Sequence, residues 1–461
     1  MTDVAEAALQ RQEGVAPARS RRSRAKSWTA SALCLVPAGY LGGVVMFAVR
    51  NADSYATALP QALRYIVVPG LLSALLAAIA LRGSRVLRVN VGGAACALLV
   101  LLFACEAVLE RRYVHAIADL TRVPPDMAAR WPDASPGLPA GRTVRALNTA
   151  LGTTHLRDAV LGGVAGSRVA LCSDAGRTVA YRADRFGFRN PAAALARPPR
   201  LMVIGDSFVE GICLPDGQDL VDQVRRRSAA TLGFGMRGAG PLLELAMLGR
   251  YGPLLKPRWV VFGFYEGNDW GDLAGELQTP WANEALADGA SFGQPIDSAR
   301  NARAMAQVQR WGNARPPDYL SMLHKAHVGR NVLALHQTWT QLGLGYPKAA
   351  GPIPDYDRVL ARARAIASRW GARLAILYVP ATSRFFGLLP HQFVHDQVLR
   401  RVTTAAAAHD IPVIDTTPRL AEQTDPMGLY AQGHLSARGA DLVAAMLTRS
   451  LDDLDQKGAG R

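Results

Sequence analysis

The stretch VIGDSFVEG, residues 203–211, decides how this 461-residue chain is read. It closes the run RLMVIG, which is apolar at every position after its arginine and too short for a helix. A strand apolar on both faces belongs inside a parallel sheet covered by helices. The chain then turns through glycine and Asp206 and leaves a hydroxyl, Ser207, at the strand's carboxyl end. Open α/β sheets bind their ligands at that edge. The same turn can also do humbler work, with Asp206 capping the helix that follows.

The rest of the second half repeats strand and helix. An amphipathic segment, DLVDQVRRRSAATL (219–232), precedes the Gly-rich LGFGMRGAG, which opens a second helix at PLLELAMLGRYGPLL. Fully apolar strands are read at RWVVFGFY (258–265), LAILYVP (374–380) and PVIDT (412–416), and the last two are separated by the Ala-rich helix VLRRVTTAAAAHD. This alternation predicts a three-layer α/β/α domain on a parallel sheet over residues 199–455. Asn268, in YEGNDW, falls just beyond the carboxyl end of VVFGFY. His434, in GHLSARG, precedes a final amphipathic helix. Residues 270–370 form a long insertion between two strands, suited to a lid, a substrate wall or peripheral packing.

Four short motifs therefore arrive in order: GDS, a glycine loop, GND and a late histidine. As a set they resemble the SGNH hydrolase (GDSL-type esterase) family. The resemblance covers about residues 185–455, and FGFRNP (186–191) with YEGND is similar to bacterial membrane-anchored members. It implies Ser207 as nucleophile and backbone oxyanion donor, and Gly238, or Gly235 in the other register, as the loop glycine. Asn268 becomes the side-chain donor and His434 the general base. The chemistry needs these types. A serine hydroxyl attacks well only when an imidazole takes its proton, and the developing oxyanion needs donors already in place. Position 209 is Val, so the G-x-S-x-G elbow of α/β-hydrolases is absent.

The family's acid, two or three residues before the histidine, is replaced here by Ala431 and Gln432. His434 is then oriented by a backbone carbonyl or the Gln432 amide, or a more distant carboxylate, Asp425 or Asp415, serves. An acid mainly fixes the imidazole tautomer and stabilises its cation, so a dyad can work at reduced rate. The leading expectation is a serine esterase removing acyl groups, acetyl first, from an envelope or exported glycan. One rival is an O-acyltransferase on a cell-surface polysaccharide, working with envelope-polysaccharide machinery that carries the donor. The other is a non-catalytic glycan-binding or assembly subunit.

The N-terminal half sets the compartment. Residues 27–49 carry no charge and suffice to cross about 30 Å of hydrocarbon, and two further apolar runs lie at 65–81 and 89–105. This predicts three transmembrane helices over 27–110, after a basic cytoplasmic tail at 1–26. The tail's RSRRSRAK and Arg82, Arg85 and Arg88 between spans two and three mark the cytosolic side. Everything beyond about residue 110 then lies outside the inner membrane, on its periplasmic face, with Arg111 and Arg112 as a minor contrary signal. Residues 111–198 read as an extracytoplasmic linker, Pro-rich at 122–142, with a small β-rich extension around 173–176.

Lys and Arg number 52 against 37 Asp and Glu, a net charge of +15. No zinc-ligand set, basic helix or RNA-binding aromatic motif accompanies that charge, so a nucleic-acid partner is excluded and lipid bilayer and glycan are kept. His391 and His395 stand four apart with Asp396 alongside, but no third ligand or H-E-x-x-H pattern joins them, so no metal or cofactor is expected. Three of five cysteines lie in the apolar runs. Cys172 and Cys213 fall in the oxidising region, where they are expected to form a disulfide.

Overall fold

The computed structural model describes residues 21–52, 59–120, 132–174, 177–314, 323–324, 327–344, 351–388 and 392–459. The basic tail at 1–20, His391 and the Pro-rich residues 121–131 lie outside these. The chain divides into two compact units, Met1–Ala107 and Val108–Arg461. The first holds α1 (Arg21–Arg50) and α2 (Val68–Arg82), the latter entered through a π-helical turn at Leu63–Val67, and most of α3 (Arg85–Leu120). Among the described residues, three segments are long and apolar enough to cross a membrane: Trp28–Arg50, Leu63–Arg82 and Arg85–His115. Small residues let the helices approach and satisfy one another. Ser31 Oγ donates to Ala80 O at 3.0 Å and Ser73 Oγ to Ala38 O at 2.8 Å, while Cys96 Sγ reaches Leu33 O at 3.0 Å.

In the second unit, α4 (Val144–Ala150) precedes a hairpin of β1 (Arg168–Asp174) and β2 (Arg177–Arg182). The sheet follows, with its helices: β3 (Leu201–Gly205), α5 (Ser207–Glu210), α6 (Leu220–Arg227), β4 (Thr231–Gly235), α7 (Pro241–Leu255), β5 (Trp259–Tyr265) and α8 (Asp269–Leu277). Then come α9 (Ser298–Asn313), α10 (Asp355–Ser368), β6 (Arg373–Val379), α11 (Gln392–Ala408) and β7 (Val413–Asp415). The chain ends in the short hairpin β8 (Tyr430–Ala431) and β9 (His434–Leu435), and in α12 (Ala437–Ala459).

Strands β3 to β7 form one parallel sheet in the order β4-β3-β5-β6-β7. Period-two alternation sends their side chains to two separate cores. Met202, Ile204, Phe262 and Tyr378 meet α7, α10 and α11, whereas Val203, Val261 and Leu377 meet α6 and α12. That is the expected α/β/α arrangement. Because β4 and β5 flank β3 on opposite sides, the strand order reverses at β3. Open α/β sheets bind ligands outside the carboxyl end of such a strand, and Ser207 begins α5 at that point.

Two expectations change. Thr231–Gly235 is an edge strand rather than the tail of a helix, although two of its five residues are glycines. It forms because it pairs in full register with β3 and because Asn190 closes its outer edge. The Asn190 amide donates to Gly233 O at 2.8 Å and accepts from Gly233 N at 2.9 Å, so a side chain does the work of a neighbouring strand. Residues 132–198 are likewise no linker. Leu147, Leu161, Val164, Phe186 and Phe188 join the core of one sheet face, and Phe188 packs 4.7 Å from Phe234 and 5.4 Å from Tyr251, ring to ring. Proline and glycine spread these apolar residues too irregularly for a periodic pattern to reveal them.

Replacing Asn190 with Ala strands the buried amide and carbonyl of Gly233. The expected loss is about 2–4 kcal/mol of unfolding free energy in denaturant titration, from two unsatisfied groups. A loss below half a kcal/mol would show that β4 needs no such closure.

Candidate active site

Ser207 is held by a turn that the buried strand β3 feeds directly. The Asp206 side chain caps α5 by accepting from Phe208 N at 2.8 Å, and Gly211 ends it with φ +77° and its N–H on Ser207 O. The helper role foreseen for Asp206 is therefore present. Its other oxygen lies 3.3 Å from Ser207 Oγ and 3.4 Å from Asn268 Nδ2.

His434 arrives from 227 residues away, and its Nε2 stands 2.9 Å from Ser207 Oγ. Its Nδ1 faces the carbonyl oxygen of Gln432 at 3.3 Å. A carbonyl can only accept, so Nδ1 carries the proton and Nε2 is left to accept the serine O–H. The imidazole packs 5.0 Å from the Phe208 ring, which stacks on Tyr265 at 3.8 Å. Burial holds its pKa below the ordinary 6.5, opposed by the Gln432 carbonyl and by Glu210, and assisted by Arg237.

The orienting group is thus the backbone carbonyl, one of the alternatives that the sequence left open. The Gln432 side chain turns elsewhere, with Oε1 3.2 Å from Cys213 Sγ. Asp425 accepts from Gly428 N at 3.0 Å and Asp415 from Thr417 N at 2.9 Å, so both carboxylates are spent on local turns and neither bonds the imidazole. Cys172 and Cys213 are joined, with Cα atoms 5.4 Å apart, tying β1 to the loop after α5.

Asn268 precedes α8, and its amide donates to Asp272 Oδ2 at 2.8 Å as well as reaching Asp206. Between the two registers for the loop glycine, the structure separates the tasks. Gly235 lies in β4, where a Cβ would collide with the backbone of Val209 and Glu210. Gly238 lies in the loop beyond, at φ +73°, where a Cβ would meet Thr143 Cγ2 at 2.5 Å. That loop is tied to the Ser207 turn through Met236 N on Gly205 O at 3.0 Å.

Sequence reasoning missed the buried ions around this rim. Glu210 and Arg237 pair at 2.5 Å, with Tyr181 OH on Glu210 at 3.0 Å and Arg237 N on its other oxygen at 2.9 Å. Glu276 accepts from Gly240 N at 2.6 Å and Leu242 N at 3.0 Å, so α8 grips the glycine loop. Glu266, bonded to Arg384 and Ala381 N, fastens the end of β5 to β6. His395 bonds Ser383 at 2.7 Å. Glu210 lay in the opening motif, but nothing in a lone sequence pairs it with an arginine 27 residues on. Burial pushes Asp206 up to about 7, with help from Asp272 and against bonds from Phe208, Asn268 and Ser207. Burial likewise lifts Glu276 to about 8 against its backbone donors.

No protein-family model and no curated protein matches the chain. Among solved structures it is distantly similar to the lipase/acylhydrolase from Enterococcus faecalis, at 16% identity and a TM-score of 0.28. That alignment covers 55% of this chain and 95% of the other.

Two pH measurements test the electrostatics. Only the neutral imidazole can take the serine proton, so covalent labelling of Ser207 should rise with pH through a midpoint below 6.5. The profile is cleanest in Asp206→Asn, which removes the second titration, and a midpoint above 6.5 there would contradict burial as the dominant influence. For stability the sign runs the other way. A carboxyl whose folded pKa is raised from 3.8 to about 7 binds more protons folded than unfolded between those values, so its contribution falls as pH rises through that window. The stability of Asp206→Asn relative to the parent should therefore climb from pH 4 to pH 7 and then level off. A flat difference in chemical denaturation would remove Asp206 as a buried, costly acid.

Proposed function

We propose that this chain is a membrane-anchored serine hydrolase that cleaves carboxylic esters through an acyl-enzyme on Ser207. The observation that carries the reading is the 2.9 Å approach of His434 Nε2 to Ser207 Oγ, with the tautomer set by the Gln432 carbonyl. Ser207 Oγ attacks the ester carbonyl carbon while its proton passes to His434 Nε2. The oxyanion is received by the backbone N–H groups of Ser207 and Gly238 and by the Asn268 amide. Collapse expels the alcohol, which leaves with the proton from Nε2. Water then repeats the sequence on the acyl-serine, releasing the acid and restoring the hydroxyl.

The substrate class is an acyl ester, acetyl first, on an envelope or exported glycan at the outer face of the cytoplasmic membrane. Three apolar segments and the distribution of basic residues around them support the location. So does the Cys172–Cys213 bond, because such bridges persist in oxidising compartments.

A fluorophosphonate probe should label the full-length protein in detergent, and Ser207→Ala should abolish the label. Asn268→Ala should lower ester hydrolysis by about 10²- to 10³-fold, the usual cost of one oxyanion donor. Release of acid from acetylated sugars, measured against simple aryl acetates, checks the substrate class. Folded protein that neither labels nor hydrolyses any ester would end the enzymatic reading.

A further inference from the structure

The turn that carries His434 is held in an unfavourable conformation. Ala431 and His434 face each other across β8 and β9, so Gln432 and Gly433 alone make the turn, at φ +51° and +81°. A two-residue hairpin with both central residues left-handed favours Asn-Gly, because glycine and asparagine tolerate that region best. Glutamine does not share that tolerance. Non-glycine residues persist there when their surroundings over-determine them, and such residues cluster at functional sites.

The surroundings that hold Gln432 are specific. Six non-glycine residues among those described have positive φ, and two of them, Gln432 and Cys213 at +59°, touch across the site through Oε1 and Sγ at 3.2 Å, a non-bonded sulfur–oxygen contact because a bridged Sγ carries no proton. Cys213 is in turn bonded to Cys172 on β1. Its hairpin is seated by Tyr181 on Glu210 and by a small core of Val169, Leu171 and Tyr181.

We propose that Gln432 is a positioning residue that braces the His434 turn against the Cys172–Cys213 bridge, so that this bridge stands in for the missing triad carboxylate. The proposal rests on the hydrolase reading above. A carbonyl can orient an imidazole only as well as its own turn is fixed, and here the turn rests against Cys213, which is itself covalently tied to β1. Ala431 and Gln432 occupy the positions from which an acid would otherwise do this.

The test is the rate and pH midpoint of fluorophosphonate labelling in the full chain, measured with Gln432→Gly, with Cys172→Ala/Cys213→Ala, and with all three substitutions. Glycine keeps the left-handed turn and removes only the brace. Gln432→Gly should label about tenfold more slowly, short of the ~10²-fold that an ångström of misplacement can cost, with an unchanged or higher melting temperature. Its midpoint should fall, because the Gln432 carbonyl raises the imidazole pKa. Glu210 and Arg237, the charged groups facing His434, and Asp206 behind Ser207 remain the same throughout. The cysteine pair should slow labelling by a similar factor, and the triple variant should be no slower than either, the signature of one shared path.

If the cysteine variant does not fold, Gln432→Gly alone carries the test. Labelling of Gln432→Gly at the parental rate, or losses that multiply in the triple variant, would overturn the brace while leaving the hydrolase intact. A parent that is not labelled at Ser207 would instead remove the hydrolase reading itself.

Discussion

One hydrogen bond, from the Ser207 hydroxyl to His434 Nε2 at 2.9 Å, joins the start of the sheet to the last hairpin. Each end is fixed by burial. Ser207 follows a strand whose five residues are all buried, at the point where the strand order reverses. His434 sits on a hairpin fastened by Tyr430 OH on Pro380 O at 2.7 Å and by Leu429 and Leu435 in the α6–α12 core. An imidazole must stand within hydrogen-bond reach of its serine, so the register of the whole sheet bears on this contact.

The rim around that bond is built from buried charge. Glu210 with Arg237, and Glu266 with Arg384, each tie one loop at the carboxyl edge to another. Removing two charges from water is expensive, and such pairs seldom add net stability over an apolar core. What they supply here is direction, because a guanidinium fork accepts a carboxylate in only a few geometries. Asp206 and Glu276 follow the same logic without an arginine. Their carboxyls are lifted by burial, yet each orders backbone amides beside Ser207 or the glycine loop. Stability is given up where the loops must not drift.

Much of this was legible in the sequence. Strands apolar on both faces can only be interior, so RLMVIG, VVFGFY and LAILYVP announced a covered parallel sheet, and the carboxyl-edge rule brought Ser207 and Asn268 to one side of it. The apolar runs before residue 110 were equally plain, since length and lack of charge are local properties. The edge strand TLGFG was not, because its stability comes from its neighbour β3 and from the amide of Asn190 rather than from its own residues. Nor was the contribution of residues 132–198 to the core, where proline and glycine break the periodicity by which burial is read.

Apolar spacing already defines the layered sheet and puts Ser207 and Asn268 at its carboxyl edge, because burial and strand direction have local causes; His434 joins them through the order of motifs. Tertiary structure alone decided what orients the imidazole. Asp425, Asp415, the Gln432 amide and an unnamed backbone carbonyl were equal on paper, and a sequence does not say which way a side chain turns in a tight hairpin. With Gln432 left-handed, its amide points to Cys213 and its carbonyl to His434, and the two carboxylates are used up in turns of their own.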